Sequence, residues 1–305
     1  MAAPPRGHAV SGIAMVLAGA VLLSAKGVVA KLMYAAGGDA VTVSAIRAVL
    51  AVPGFWTYAI WRMGARRLLG IDRRSMLIAA LIGLLSYYGG SLVNFYALTL
   101  IDASLERMLL FTYPMLVVVA LALLHRRWPS RRVLTAMTLT YVGVVLAVGA
   151  LDGELLRANW YGSLLVLLSA AGVAAYYIVN ARVSAQIGSQ AFTVYAMSAA
   201  GIGMGVHLAL TRTPAQVAAL PMQFWWLMAF MVVAVTVLPL FLMAEGVARV
   251  GAARGSLISA IGPASTVFIA WRVLDERLSL VQIAGSALIV SGILVLESRR
   301  SRPGG

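Results

Sequence analysis

Apolar runs of about twenty residues succeed one another along almost the whole of this 305-residue chain, and nothing constrains its folding more. Inside hydrocarbon only a helix or a closed barrel satisfies every backbone polar group, and a helix crosses a bilayer in about 20 residues. The runs divide into ten predicted spans near 11–34, 42–61, 76–98, 104–124, 133–150, 161–181, 191–210, 224–244, 255–272 and 280–297. The links between them are too short to hold a soluble domain. Composition agrees, with 62% hydrophobic and only 11% charged residues, against about 25% charged in soluble domains. An ordinary soluble enzyme and a disordered chain are both excluded. The chain has no cysteine, which removes disulfides, thiol catalysis and cysteine-ligated metal.

The formal net charge of +14 is first a topology signal. With the amino terminus inside, the cytoplasmic segments hold 16 Arg, and the outer ones hold 5, namely Arg107, Arg157, Arg212, Arg272 and Arg277. Lys26, Lys31 and Arg47 fall within spans. Basic residues accumulate on the cytoplasmic side of membrane proteins, so both termini are expected inside, and nucleic acid is not an expected partner. The first span is expected to be a retained helix. Its apolar stretch continues past Lys26 to Tyr34, which is long for a secretory signal despite the small residues Ala18-Gly19-Ala20.

The chain repeats itself at a shift of 149, which takes Ala103 to Ala252, Pro114 to Pro263 and Gly143 to Gly292. Gly12 and Gly162 open the two halves at a shift of 150. The halves are 1–150 and 151–305, the second ending in a short basic tail. Five spans in each is an odd number, so the halves lie upside down relative to each other. Arg126-Arg127 of the first half match Asp275-Glu276 of the second, a sign change that follows the positive-inside rule. Inverted repeats of this kind mark transporters, with cargo held near the midplane where the halves meet.

Polar residues inside hydrocarbon are costly and usually face the bundle interior or a wet cavity. In the third span Tyr87, Ser91 and Asn94 share one helix face, with Tyr88 beside them. The sixth carries Ser169, Tyr176 and Asn180, with Tyr177 alongside, and the ninth carries Ser256, Ser259, Pro263 and Thr266. Three such stripes would line a cavity with aromatic walls and a few hydrogen-bonding groups; the structural alternative is that the Ser, Thr and Asn side chains simply join helices. Among charges, Lys26, Arg47 and Glu106 are placed to meet. Either they form an ion pair that locks helices, or they clamp a zwitterion with Glu106 toward the ammonium and Lys26 toward the carboxylate. Arg47 reads as architectural. Glu106 is the intramembrane acid through which proton coupling would run.

Pro114 and Pro263 each remove a backbone hydrogen bond at equivalent sites, so they are candidate hinges for a rocking motion as well as static kinks. Gly201, Gly203 and Gly205 lie in a span with no preceding strand, which fits close helix packing rather than a nucleotide loop. His8, His125 and His207 have no second ligand at metal spacing, and neither a catalytic constellation nor a phosphate-binding loop is present. No metal site and no cofactor are expected, and the chain is not expected to be an enzyme.

The strings "SAKGVVAKLMY", "IRAVLAVPGF", "YALTLIDASLERMLLFTYP" and "ARGSLISAIGPASTVFIAWRVLDERLSLVQIAGSALIVSGILVL" resemble the ten-helix EamA-type family of the drug/metabolite transporter superfamily, along essentially the whole chain. The resemblance implies an all-α polytopic fold, two inverted five-helix repeats around a central cavity, moving small polar metabolites by alternating access. It also implies export, since family members include exporters of amino acids, aromatic ones among them. The expected function is export of small metabolites, neutral or aromatic amino acids first. The alternatives are export of drugs or other metabolites, a passive channel, or a membrane enzyme acting on lipid-linked substrates. Few interior charges make nucleotides and sugar phosphates poor cargo. A bias of 22 Arg to 2 Lys, with abundant Ala, fits a GC-rich bacterium, so the bacterial cytoplasmic membrane is the expected location. A bundle of this size can act as a monomer.

Overall fold

A computed structural model describes residues 6–124, 126, 130–148, 151–250, 258 and 261–297, and every regular element among them is helical. Seven helices are long and apolar enough to cross a membrane: α1 (Val10–Ala35), α2 (Ala40–Met63), α3 (Arg73–Ala97), α4 (Ala103–Leu124), α6 (Gly153–Ile187), α7 (Ser189–Thr211) and α8 (Met222–Val250). Three shorter apolar helices among the described residues are α5 (Arg131–Val148), α9 (Gly262–Leu274) and α10 (Leu280–Glu297). These three stand at the spans predicted near 133–150, 255–272 and 280–297, each next to residues outside the described set.

The helix starts follow local chemistry. Asp39, Asp72 and Asp152 precede α2, α3 and α6, and each accepts backbone N–H groups of the first turn with its carboxylate. Gly188 turns α6 into α7 at φ +86, in the left-handed region that disfavours a side chain.

Several helices are broken inside the apolar stretch. α1 is interrupted at Ala25, between Arg6–Ser24 and Lys26–Ala35. α4 is interrupted between Leu110 and Tyr113, and α9 begins after a turn at Ile261. Pro114 is the second residue of the segment that restarts at Tyr113, and Pro263 the second residue of α9, where a missing N–H costs nothing. α3 contains a π-helical turn at Leu84–Gly89 and α8 another at Val233–Val237. Those two turns begin 149 positions apart, and no residue pattern announces them.

Glycine contacts recur at the same spacing. A Cβ at Gly54 would fall 2.8 Å from Val237 of α8, and one at Gly203 would fall 2.9 Å from Leu84 and 3.6 Å from Tyr88 of α3. Gly143 faces the carbonyl of Gly285 and the Ile289 side chain, while Gly292 faces Ala136 and Thr140. Gly12 lies on Arg249 and Val250, and Gly162 on Leu100 and Ile101. In each case the two contacts are displaced by 149 or 150 positions and exchanged between the halves. Accordingly α1 packs on α8 as α6 packs on α3, while α2 pairs with α7 and α5 with α10.

The core gathers around α2, α3, α7 and α8, with Phe95, Phe192, Phe224, Met228 and Met231 buried there. A smaller cluster of Leu105, Met108, Leu109, Val166 and Ile289 ties α4, α6 and α10 together. Many large apolar side chains face outward, among them Leu77, Leu81, Trp226 and Phe268, as hydrocarbon-facing helices require.

Candidate functional site

The break at Ala25 places Lys26 at the start of the second segment of α1, directed at α3 and α4. Its Nζ donates to Asn94 Oδ1 at 2.7 Å and to Glu106 Oε1 at 3.1 Å. Asn94 Nδ2 donates to the same carboxylate oxygen at 2.8 Å, closing a three-membered network. The Glu106 side chain is about 1% exposed, and its second oxygen, Oε2, is buried with no hydrogen-bond partner. Gly27 makes room for that oxygen, since a Cβ there would come within 3.4 Å of it. A buried pair of this kind is held by geometry and by added hydrogen bonds rather than by charge alone, and Asn94 supplies the added bonds.

Two more cations surround the network. Arg47 of α2 donates from Nη2 to Ser91 Oγ at 2.9 Å and lies over the Phe95 ring at 5.1 Å, the ring that Lys26 Nζ also approaches at 5.6 Å. Arg107 is buried and stacks on Phe111 at 4.9 Å, next to Gly262 of α9. Neither guanidinium has a carboxylate within 4.0 Å among the described residues, and the Nε of each is buried without a partner. The sequence places Arg107 in an outer segment. It is instead an interior residue of α4, because the helix starts at Ala103 and the Glu106 position and its neighbour both turn inward.

The tyrosines divide into two groups. Tyr87 meets Tyr176 edge to face at 4.8 Å, Tyr177 stacks on Tyr113 at 5.1 Å, and Tyr176 shares a 2.8 Å hydrogen bond with Thr193. Tyr88 turns elsewhere: its hydroxyl is 2.8 Å from His207 Nδ1. Asn180 donates to Ser189 at 3.3 Å and keeps a buried, unpartnered Oδ1. Thr266 donates to the carbonyl of Ser24 at 2.8 Å, and the Ser24 hydroxyl donates to Gly262 O at 2.9 Å, so these groups tie the α1 break to α9. Ser259, with Ser256, lies outside the described residues. Of the expected site residues, the structure brings together Lys26, Asn94 and Glu106, sets Ser91 on Arg47, and joins Tyr87, Tyr176 and Tyr177 with Tyr113. Sequence reasoning misses Tyr113 and Phe95, because aromatics in an apolar run carry no periodic polar mark.

Two clefts are present in the bundle. One of about 120 Å³ is lined by Phe55, Tyr58, Ser189, Thr193 and Leu240, and another of about 270 Å³ by Ala40, Val41, Leu92, Tyr96 and Leu165. Ala40 and Ser189 are 149 positions apart, as are Val41 and Gln190, which lines the smaller cleft.

At the end of the bundle bearing the 36–39 loop, ion pairs join the elements. Glu276 accepts from Ala103 N at 2.8 Å, Ser104 N at 3.0 Å and Ser104 Oγ at 2.8 Å, so it caps α4 across the bundle. Lys31 reaches both Asp102, at 3.7 Å, and Glu276, at 3.8 Å. Asp102 sits at a raised pKa because partial burial and the nearby Glu276 charge outweigh Lys31. Arg212 pairs with Asp39 at 3.1 Å. Partial burial pushes the Asp39 carboxyl up, but hydrogen bonds from Thr42 and Arg212 bring it below the ordinary range. At the opposite end Arg62 pairs with Glu245 at 3.4 Å, and Arg249 donates to Ser11 at 3.0 Å.

The EamA-like transporter family matches residues 10–149 and again residues 160–298. The chain is 32% identical over 303 residues to the uncharacterized transporter YcbK of Bacillus subtilis, covering 97% of this chain and 96% of that one. It is 26% identical over 238 residues to the uncharacterized inner membrane transporter YicL of Salmonella typhimurium, covering 75% of each. A crystal structure with 16% sequence identity superposes with a TM-score of 0.63 over 96% of this chain and 99% of the other, which shows a shared fold.

Proposed function

The chain belongs to the EamA-like transporter family, and from that premise we propose that it is a secondary exporter of small metabolites, with neutral and aromatic amino acids as the leading cargo. It is a multi-pass membrane protein of a transporter family rather than an enzyme. The observation that carries the amino-acid reading is the closed Lys26–Asn94–Glu106 network beside a cluster of tyrosines. In this reading the cargo ammonium takes the place of Lys26 on Glu106, the released Lys26 turns to the carboxylate, and an aromatic body lies against Tyr87 and Tyr176. Tyr88, Tyr177, Asn180, Ser259 and Thr266 complete the proposed contacts, and Glu106 is the group through which protons would be coupled.

The proposed architecture is ten spans in two inverted five-helix repeats, 1–150 and 151–305, around a central cavity. The exchanged glycine contacts, the paired π-turns and the two family matches support it. The break before Pro114 and the helix start at Pro263 support their role as hinges in alternating access. Both termini are placed in the cytoplasm, the membrane is a bacterial inner membrane, and the working unit is a monomer. The wholly apolar lining of the larger cleft favours, as a second reading, export of drugs or other small metabolites.

Counterflow in proteoliposomes tests this. Vesicles are loaded with single amino acids and entry of a labelled neutral amino acid is timed. Saturable, trans-accelerated entry that falls at least tenfold in Lys26→Ala supports the reading. Absence of exchange with any amino acid by folded protein rejects the amino-acid cargo and leaves the second reading to be tested with drugs.

A further inference from the structure

We infer that Arg47, held by Ser91 and Phe95, is the residue that selects cargo bearing a carboxylate, and that Lys26 makes its contact only afterwards. The inference rests on the transport reading for the passage of cargo, but not for its binding. Lys26 is already satisfied by Asn94 and Glu106 in the resting structure. Arg47 is not: one hydrogen bond to Ser91 is the contact seen for its fork, its Nε is buried without a partner, and no carboxylate lies within 4.0 Å of it among the described residues. An uncompensated cation inside a membrane is costly and marks a substrate or ion pathway. A guanidinium presents five N–H donors in a planar fork that matches a carboxylate with two bonds at once, which a lysine does not do.

The position of Arg47 fits that role. Arg47, Ala51 and Phe55 succeed one another at intervals of four on one face of α2. Phe55 lines the 120 Å³ cleft, and Arg47 is about 12 Å further along the helix, with the buried Ala51 between them on that face. A chain of side-chain contacts links the cleft to the same point. Thr193 lines the cleft, hydrogen-bonds Tyr176, and Tyr176 packs on Tyr87. Tyr87 is one turn of α3 before Ser91, the partner of Arg47. A carboxylate admitted from the cleft, once the side chains between part, meets the unpaired Arg47 while the Lys26–Glu106 pair is still closed. Both cations lie against the Phe95 ring, so a molecule bound at Arg47 has Glu106 and its Lys26 partner close by.

The test works whatever the natural cargo is. Purified full-length protein in detergent is melted in the presence of a panel of small carboxylates, namely the twenty amino acids and 3-phenylpropionate, and of the matching amides, such as phenylalaninamide. At least one carboxylate is expected to raise the melting temperature in a saturable way, with its amide at least tenfold weaker. Arg47→Gln is expected to abolish the shift, and Arg47→Lys to keep the preference for acid over amide at reduced affinity. Equal stabilisation by acid and amide, an unchanged shift in Arg47→Gln, or no shift with any carboxylate would each overturn the assignment. If Arg47→Gln does not fold, Arg47→Lys decides the matter, since an acid affinity unchanged from wild type in that variant would overturn the assignment. Binding without counterflow would sink the transport reading and keep this one, and counterflow retained in Arg47→Gln would do the reverse.

Discussion

Gly54 of the first half presses on Val237 of the second, and Gly203 of the second presses on Leu84 and Tyr88 of the first. Where the first half places Lys26, Arg47 and Asn94, however, the second places Tyr176, by the 150 shift of the first span, and Ala196 and Met243, by the 149 shift of the later ones. Glu106 and Arg107 correspond to Gly255 and Ser256, which lie outside the described residues. The packing is thus repeated and the chemistry is not. A scaffold of matched halves can rock between two similar shapes, because each shape reuses the same glycine contacts with the halves exchanged. The proposed binding centre has no such need, since one set of charges can serve both shapes. α1 shows the divergence in its backbone: it breaks at Ala25 to present Lys26, while α6 is one unbroken helix of 35 residues.

The largest expected effect breaks the chemical side of that contrast. Glu106→Gln leaves Lys26 buried without its counter-charge, a loss of about 3–5 kcal/mol for a buried pair, read as a lower unfolding midpoint in detergent and as lost counterflow. Glu106→Gln with Lys26→Met together is expected to regain most of the stability and none of the transport. Next come the repeated contacts. Gly143→Ala and Gly292→Ala each drive a methyl into the facing helix and should each cost about 1–3 kcal/mol. If the halves are equivalent, the two losses agree closely, and strongly unequal losses would break the symmetry. Asn94→Leu against Met243→Leu then compares equivalent positions directly: counterflow should fall more than tenfold in the first and less than twofold in the second.

The smallest effect lies at the loop end. The folded Asp39 carboxyl sits below its ordinary value, so its contribution is fully present above the unfolded value near pH 3.9 and is lost as pH falls through the folded one. Arg212→Ala should lower stability by about 1 kcal/mol or less at neutral pH, and the difference from wild type should vanish in acid.

Much of this is legible in the sequence. Apolar length announces membrane helices, and the rarity of charge inside them singles out Lys26, Glu106 and Arg47 as groups that must find partners. Asn94 stands out for the same reason. What stays hidden depends on backbone detail. The π-turns leave no mark in hydropathy, yet they set which way Tyr87 and Tyr88 point, and Tyr88 pairs with His207 instead of joining Tyr87. Arg107 counts among the outer charges because it stands at the edge of the predicted span just after Asp102 and Glu106, whereas its burial against Phe111 and Gly262 of α9 is set by tertiary packing. Glu276 reads along the chain as one of a pair of topology charges, and its role as a cap on a helix 173 positions away is a tertiary fact.

That cap gives α4 a double attachment within a single turn. Ala103 and Ser104 are held by Glu276, and Glu106, about 4.5 Å further along the axis, is held by Lys26. α1 likewise carries Lys26 to Glu106 and Lys31 to Glu276. The Lys26–Glu106 network and the ion-paired end of the bundle are therefore fastened to the same two short stretches of chain, and a shift at Glu106 has one helical turn to travel before it pulls on that end.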